Sequence, residues 1–506
     1  MRLFIFAIGG TGSRVLKSLI MLSAAGVKPL DSDGRPMNNV EIVPVIIDPH
    51  KSNEDLKRTE QMLSAYRIIR EKLYGNDVNG DGFFGMKIST LRSIMGMTGT
   101  TITDTFVFNM EAVGQTKFRQ FIHYDTMNEP NQALTSLLFA DYQLENKMNI
   151  GFVGSPNIGS VALNMIKDSE EFKAFANVFA EGDRIFFISS IFGGTGAAGF
   201  PILVKNIRQA QNLDVSNKNF LRMAPIGGLT VLPYFNLNNS QDKRIDKADF
   251  VVKTQSALQY YNETLTHPNE RYVNALFYLG DQTSSIPYDY DPGNVRDQHN
   301  PAHLVELVGA MAALKFAGMD NREFFDGMGG FLPTKAFEYG LDRDLLDVSF
   351  DTFGQETRQL IYRPMVKFHM LFIYMRTALK AIIGQGYTQD EPKIRSEFTT
   401  TQFFRTLVDQ FFDFYTEWLS EMHANLRHVQ LFNVGENNLS NIIHNVVTKK
   451  GFFGRKNVDA NTFNAELNKL SRDNKKYSDR TVEYKLLDLF NEAAGNILDD
   501  KYENIN

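Results

Sequence analysis

Two short runs of small residues in this chain have the composition to hold phosphate. They are Gly9-Gly10-Thr11-Gly12-Ser13 and Gly193-Gly194-Thr195-Gly196-Ala197, and each follows an apolar run that reads as a buried strand. Glycines let backbone amides lie close to a ligand, and a helix beginning at such a turn offers unpaired N–H groups and a positive dipole end. Two such turns at strand-to-helix junctions make a nucleotide site the leading expectation. Other chemical patterns are weaker. Asp77, Asn79 and Asp81 match the first half of an EF-hand calcium loop, but Ile88 occupies the position that needs a bidentate Glu, so a polar turn is expected. His299 and His303 have a zinc-like H-x-x-x-H spacing. Pro301 after Asn300 instead reads as the first helical residue behind an N-cap, which leaves His299 outside the helix.

The elements that must position these residues alternate. Apolar runs at 3–8, 41–47, 149–153, 185–191, 225–232 and 275–279 read as strands, with helical segments at 13–25, 161–180, 201–210, 247–264 and 301–318 between them. That alternation predicts a parallel sheet covered by helices. Residues 75–130 are an insertion without a clear assignment. Beyond about residue 330 the pattern turns helical. Segments 361–383 and 481–498 read as helices, and a stripe from Phe403 through Phe411, Tyr415 and Trp418 to Leu426 repeats at helical spacing. The expected division is 1–328 as a nucleotide-binding domain and 329–506 as a mainly α-helical domain.

Composition narrows the classes. The chain has 506 residues, 43% hydrophobic and 22% charged, and these are globular proportions. A net charge of −6 argues against a general nucleic-acid binder. The absence of cysteine excludes disulfides and thiolate metal sites. No run reaches 18 uncharged apolar residues, so no transmembrane segment is expected; the lack of cysteine, and a first segment that reads as a strand rather than a signal peptide, suit a cytoplasmic location. The basic loop around Lys449–Lys456 reads as solvated, with Phe452 and Phe453 turned inward.

Three nucleotide sites compete for the glycine turns. A P-loop needs Lys-Ser/Thr after its last glycine, and Phe200-Pro201 follows Gly199, so that site is excluded. Residues 194–199 fit G-x-G-x-x-G, but the acidic residue expected at the end of the next strand is missing. An NAD(P)-binding Rossmann enzyme is therefore a lesser alternative.

Over roughly its first 320 residues the chain resembles the tubulin/FtsZ superfamily, through several motifs in the family's order. Gly9–Ser13 is similar to the first nucleotide loop. Residues 45–50, ending Asp48-Pro49-His50, resemble the end of the second strand. Residues 151–159, with Gly154, Ser155 and Asn157, resemble the γ-phosphate loop, and Gly193–Ala197 resembles the signature loop. Leu232-Pro233-Tyr234-Phe235 is similar to the Pro-Phe loop beside the ribose. The resemblance implies binding of GTP or GDP with Mg²⁺, and places Asp48 near the metal and Asn300 or His303 near the base. It also implies self-assembly into a homo-oligomer or filament, with Asp320, Glu323 or Asp326 orienting water in a neighbour's site. An exposed acidic helix end is the competing reading of those acids. Phe192 replaces the first glycine of the signature, and the C-terminal third does not resemble the family's second domain. The closer likeness to FtsZ suits a bacterial or phage source. A scaffold that binds nucleotide without hydrolysing it, and recruits a protein partner through its helical domain, is the other functional alternative. Bulky residues at Gly194 and Gly196 are expected to abolish nucleotide binding by filling the phosphate position.

Overall fold

The computed structural model describes residues 1–50, 53–96, 102–110, 116–148, 152, 155–237, 247–267, 271–281, 287–288, 300–378, 383–433, 435–451, 454–472 and 476–503. Seven strands form one sheet: β1 Arg2–Ile8, β2 Glu41–Ile47, β3 Lys87–Ile88, β4 Arg184–Ser190, β5 Ile226–Val231, β6 Ala275–Leu279 and β7 Lys335–Tyr339. Their order is β3-β2-β1-β4-β5-β6-β7, and every neighbouring pair is parallel. The architecture is an α/β, Rossmann-like sheet. Strands covered on both faces read as continuous apolar runs, and β1, β2, β4, β5 and β6 do so.

The main helices are α1 Gly9–Ala24, α2 Glu54–Tyr74, α3 Pro156–Asn164, α4 Glu170–Val178, α5 Gly194–Arg208, α6 Lys247–Thr264 and α7 Leu304–Gly318, then α8 Gln355–Thr377, α9 Phe412–Ala424, α10 Ala460–Leu470 and α11 Val482–Lys501. Helix α1 packs against α2 and α7, and α3 packs against α5. Aromatic rings fill the space around the sheet. Phe4 and Phe6 of β1 meet Phe175 of α4 at 5.1 and 5.0 Å, and Phe6 stacks on Phe187 of β4 at 5.2 Å. In β5, neighbouring glycines make room for rings: a Cβ on Gly227 would strike Phe186 and Phe316 at 2.7 Å, and one on Gly228 would strike Phe200 at 2.4 Å.

Several expected bounds move. Residues 149–151 and 153 of the expected strand at 149–153 lie outside the described residues, and Phe152 is not in a strand. The expected helix at 161–180 is α3 and α4 separated by a 3₁₀ turn, Met165–Asp168. Helix α5 begins at Gly194 rather than 201 because the glycine turn is itself the first helical turn, with Gly193 as N-cap. Pro201 thus falls inside the helix and cannot donate to the Ala197 carbonyl. The Tyr261 hydroxyl donates to that carbonyl instead, at 3.4 Å. Helix α7 begins at Leu304 with His303 as N-cap, not at Pro301 behind Asn300.

The sheet extends past residue 328, since β7 pairs along the whole of β6. The helices beyond it share one apolar core with the sheet. The aromatic stripe is helical from 402 to 424 with a wide π turn at Thr406–Phe411. Phe411 meets Phe84 at 5.0 Å, and Trp418 Nε1 donates to Ser18 Oγ of α1 at 3.1 Å. Among the described residues no helix is long and apolar enough to cross a membrane.

Gly228→Val is expected to lower stability by about 1–3 kcal/mol through overpacking against Phe200. A lower urea midpoint with an unchanged m-value would register it.

Candidate functional site

In an open parallel sheet, ligands bind beyond the strand C-termini where the strand order reverses. Here that point lies between β1 and β4, and both glycine turns are there. Strand β1 passes directly into α1 at Gly9, whose φ of +69° suits glycine. A Cβ on Gly9 would stand 3.6 Å from Thr195 Cβ, so the two turns face each other. Helix α3 joins them: a Cβ on Gly159 would stand 2.7 Å from the Gly194 carbonyl oxygen. The N-termini of α1, α3 and α5 therefore converge on one crevice.

These three helix starts share a chemistry. Ile8, Ser155 and Gly193 are their N-cap residues, none supplies a side-chain cap, and none of the three first turns holds an acid. By contrast α2, α4, α7 and α11 are capped by Asn53, Ser169, His303 and Thr481. Uncapped N–H groups need acceptors, and the summed dipoles favour an anion. Ser13, at the start of the second turn of α1, adds a buried hydroxyl whose oxygen has no hydrogen-bond partner among the described residues.

Asp48 follows β2 at the side of this crevice. Its carboxylate accepts from the His50 N–H at 2.9 Å and from Asn53 Nδ2 at 3.5 Å, and Asn53 Nδ2 lies 3.5 Å from where a Gly10 Cβ would stand. Burial pushes its pKa up to about 6. Gly154 lies outside the described residues. Ser155 Oγ accepts from Gln143 Nε2 at 3.2 Å, and Asn157 is exposed and bonded to Gln143 and the Leu138 carbonyl. Among the described residues no group of three His, Asp or Glu side chains could hold a metal. His299 is not among them. The calcium-like turn holds an ammonium instead: Lys28 Nζ contacts the Gly80 carbonyl, Asn38 Oδ1 and Asp81 Oδ1 at 2.6, 2.6 and 3.1 Å.

Behind the crevice lies a buried ionic network that the sequence reading missed. Arg14 of α1 donates to Glu306 Oε1 of α7 at 2.8 Å and to the Tyr234 hydroxyl at 2.5 Å. Asp55 of α2 lies 3.5 Å from Lys17, 3.6 Å from Arg14 and 3.9 Å from Arg58. Burial alone would raise the Asp55 pKa, but Lys17 and Arg14 hold it below the ordinary value. Burial wins at Glu306, which is raised despite Arg14. Asn300 belongs to this network, and His303 lies beside it, its ring 4.9 Å from that of Tyr234. Asn300 Nδ2 donates to Asp55 at 3.1 Å, and His303 Nδ1 accepts from the Val305 N–H at 3.1 Å. Burial lowers His303 to about 4, which leaves it neutral at pH 7. The available signal was charged residues at helical spacing, Arg14 with Lys17 and Asp55 with Arg58, and Glu306 as the one acid of α7.

The three acids sit at the opposite end of α7. Fifteen residues at about 1.5 Å each separate the ends by roughly 22 Å. Asp320 caps a 3₁₀ turn and pairs with Arg322 at 2.9 Å, which holds its pKa down at about 2. Glu323 accepts from the Asp320 N–H at 2.9 Å and pairs with Lys335 at 2.6 Å. Asp326 accepts from the Met328 and Gly330 N–H groups, both at 2.8 Å. The structure brings these acids together with one another and away from their own chain's crevice.

No protein-family model and no curated protein sequence matches the chain. Solved structures similar to it include CetZ from Methanosaeta thermophila strain DSM 6194, at 12% identity and TM-score 0.24 over 65% of this chain and 55% of that one. CetZ2 from Haloferax volcanii, a GTPγS-bound protofilament, has 14% identity and TM-score 0.25 over 63% and 58%. TubZ of Bacillus thuringiensis serovar israelensis, a GTPγS-form protofilament, has 12% identity and TM-score 0.22 over 55% and 47%. These are tubulin/FtsZ-superfamily proteins. The chain spans about half to three-fifths of the length of each.

Gly196→Val is expected to disturb folding rather than test the phosphate position, because its Cβ would stand 2.8 Å from the Ser190 carbonyl oxygen. Ser13→Ala is the cleaner probe. Asp48 yields a second prediction. A carboxyl with a raised folded-state pKa supports the fold at low pH and loses that support as pH rises through about 6. Asp48→Asn should therefore stabilise the ligand-free protein above pH 6, by up to about 3 kcal/mol, and change little below pH 4. Melting temperatures across that range would test it.

Proposed function

We propose that this chain is a tubulin/FtsZ-like protein that binds GTP or GDP with Mg²⁺. The observation that carries the reading is the convergence of three uncapped helix N-termini at the reversal point of a parallel sheet. Residues 9–13, 155–159 and 193–197 would cradle the phosphate oxygens, through the first-turn amides of residues 9–11, Asn157 and 194–196, with the Ser13 and Thr195 hydroxyls beside them. Asp48 would hold the metal, whose chemistry is to neutralise phosphate charge. The start of α7, at Asn300 and His303, would form the base end of the crevice, and the Arg14–Asp55–Glu306 network would fix the helices around it. The nucleotide-binding part is residues 1–328 together with β7, and the remaining helices form a layer packed on it.

Self-assembly follows from the same reading. Asp320, Glu323 and Asp326 lie roughly 22 Å along α7 from the crevice, so any water they orient belongs to a neighbouring copy. One observation favours the second reading, a nucleotide-dependent scaffold without turnover: Asp320 and Glu323 are already paired with Arg322 and Lys335.

The first test is to denature the native protein and identify the released nucleotide by anion-exchange chromatography, then titrate GTP. Guanine nucleotide supports the reading. Release of NAD(P), or failure to bind GTP at millimolar concentration, overturns it. Ser13→Ala should weaken GTP binding by about tenfold with the melting temperature of the free protein unchanged. Replacing Asp320, Glu323 and Asp326 with Ala should leave binding intact. Loss of concentration-dependent phosphate release would assign them to hydrolysis, and absence of release in the unaltered protein would assign the scaffold.

A further inference from the structure

We propose that α9 is a positioning strut for the nucleotide crevice, acting through a grip on the backbone of one residue, Ala302. This rests on the nucleotide reading above. Ala302 lies between Pro301 and the cap His303, outside α7, so neither its N–H nor its carbonyl has a place in the helix ladder. Both groups are taken by α9 and its C-cap. Glu421 Oε2 accepts from the Ala302 N–H at 2.8 Å, and Asn425 Nδ2 donates to the Ala302 carbonyl at 2.5 Å.

The same carboxylate reaches a second element. Glu421 Oε1 accepts from Arg58 Nη2 of α2 at 2.8 Å. Trp418, one turn earlier on that face, donates to Ser18 of α1 at 3.1 Å. One helix of the C-terminal layer therefore holds α1, α2 and the lead into α7. Ala302 lies between Asn300 and His303 in the chain, the residues assigned above to the base end of the crevice. A ligand that displaces either residue pulls on the Ala302 backbone, and through it on α9. By linkage, a partner whose binding to α9 is changed by nucleotide changes nucleotide affinity by the same factor. The helical layer is thus a regulator of the site, and Glu421 and Asn425 are positioning residues.

The test measures GTP affinity and the melting temperature of the nucleotide-free protein for four variants. Glu421→Ala removes the acceptor, and Asn425→Asp replaces the donor with a carboxylate facing a carbonyl. Each should weaken GTP by about tenfold. Glu421→Gln keeps an oxygen for the Ala302 N–H and should stay within about threefold of the unaltered protein. Met422→Ala, buried on the same helix but not part of the grip, should lower the melting temperature without changing affinity. An unaltered protein that takes up no guanine nucleotide overturns the nucleotide reading, and this coupling with it. An unaltered protein that binds, beside Glu421→Ala and Asn425→Asp variants that bind equally well, overturns the coupling alone. Glu421→Gln falling as far as Glu421→Ala makes Glu421 a counter-charge for Arg58 and overturns the grip. So does an affinity loss in Met422→Ala matching that of the grip variants.

Discussion

A carboxylate with no access to water must be surrounded by cations and donors, or the chain will not keep it charged. Asp55 meets that condition with Lys17, Arg14, Arg58 and Asn300. Those partners come from α1, α2 and the lead into α7, so satisfying one buried charge fixes the relative placement of three elements. Hydrophobic contact alone would let the helices slide, because apolar surfaces are non-directional. The ionic cluster sets their register, and the glycine turns at the starts of α1 and α5 inherit it through β1 and β4.

The sheet was legible because its central strands are buried on both faces and so read as unbroken apolar runs. Strands β1, β2, β4, β5 and β6 all fall within a residue of their expected bounds. The two outer strands were not legible, for opposite reasons. Strand β3 is only two residues long. Strand β7 alternates between half-buried and exposed residues, and it follows a stretch whose acids and glycines read as a domain boundary. The helix starts were misplaced because glycine was read as turn, whereas Gly194, Gly196 and Gly199 are helical.

Of the candidate site, the loops were legible as local strings of residues, but the network was not. Arg14, Asp55, Glu306 and Glu421 are scattered over four hundred positions, and nothing in their local sequence says which of them meet. Only the crossing of α1, α2, α7 and α9 puts them in one place. The acids after α7 show the opposite case. Their spacing was plain in the sequence, but their separation from the crevice follows from the length and direction of α7.

The two borders of the sheet carry a consequence for how copies of this chain can meet. A border strand offers a row of unpaired backbone groups, and a long apolar one invites another chain to add itself. One border here is the two-residue β3, too short to template an addition. The other, β7, has Lys335 and Glu338 along five residues, and a strand joining there would have to pass those charges. Growth by sheet continuation, the route to fibrous aggregates, is blunted at both sides. Any association between copies would use, among the described residues, faces other than these two borders.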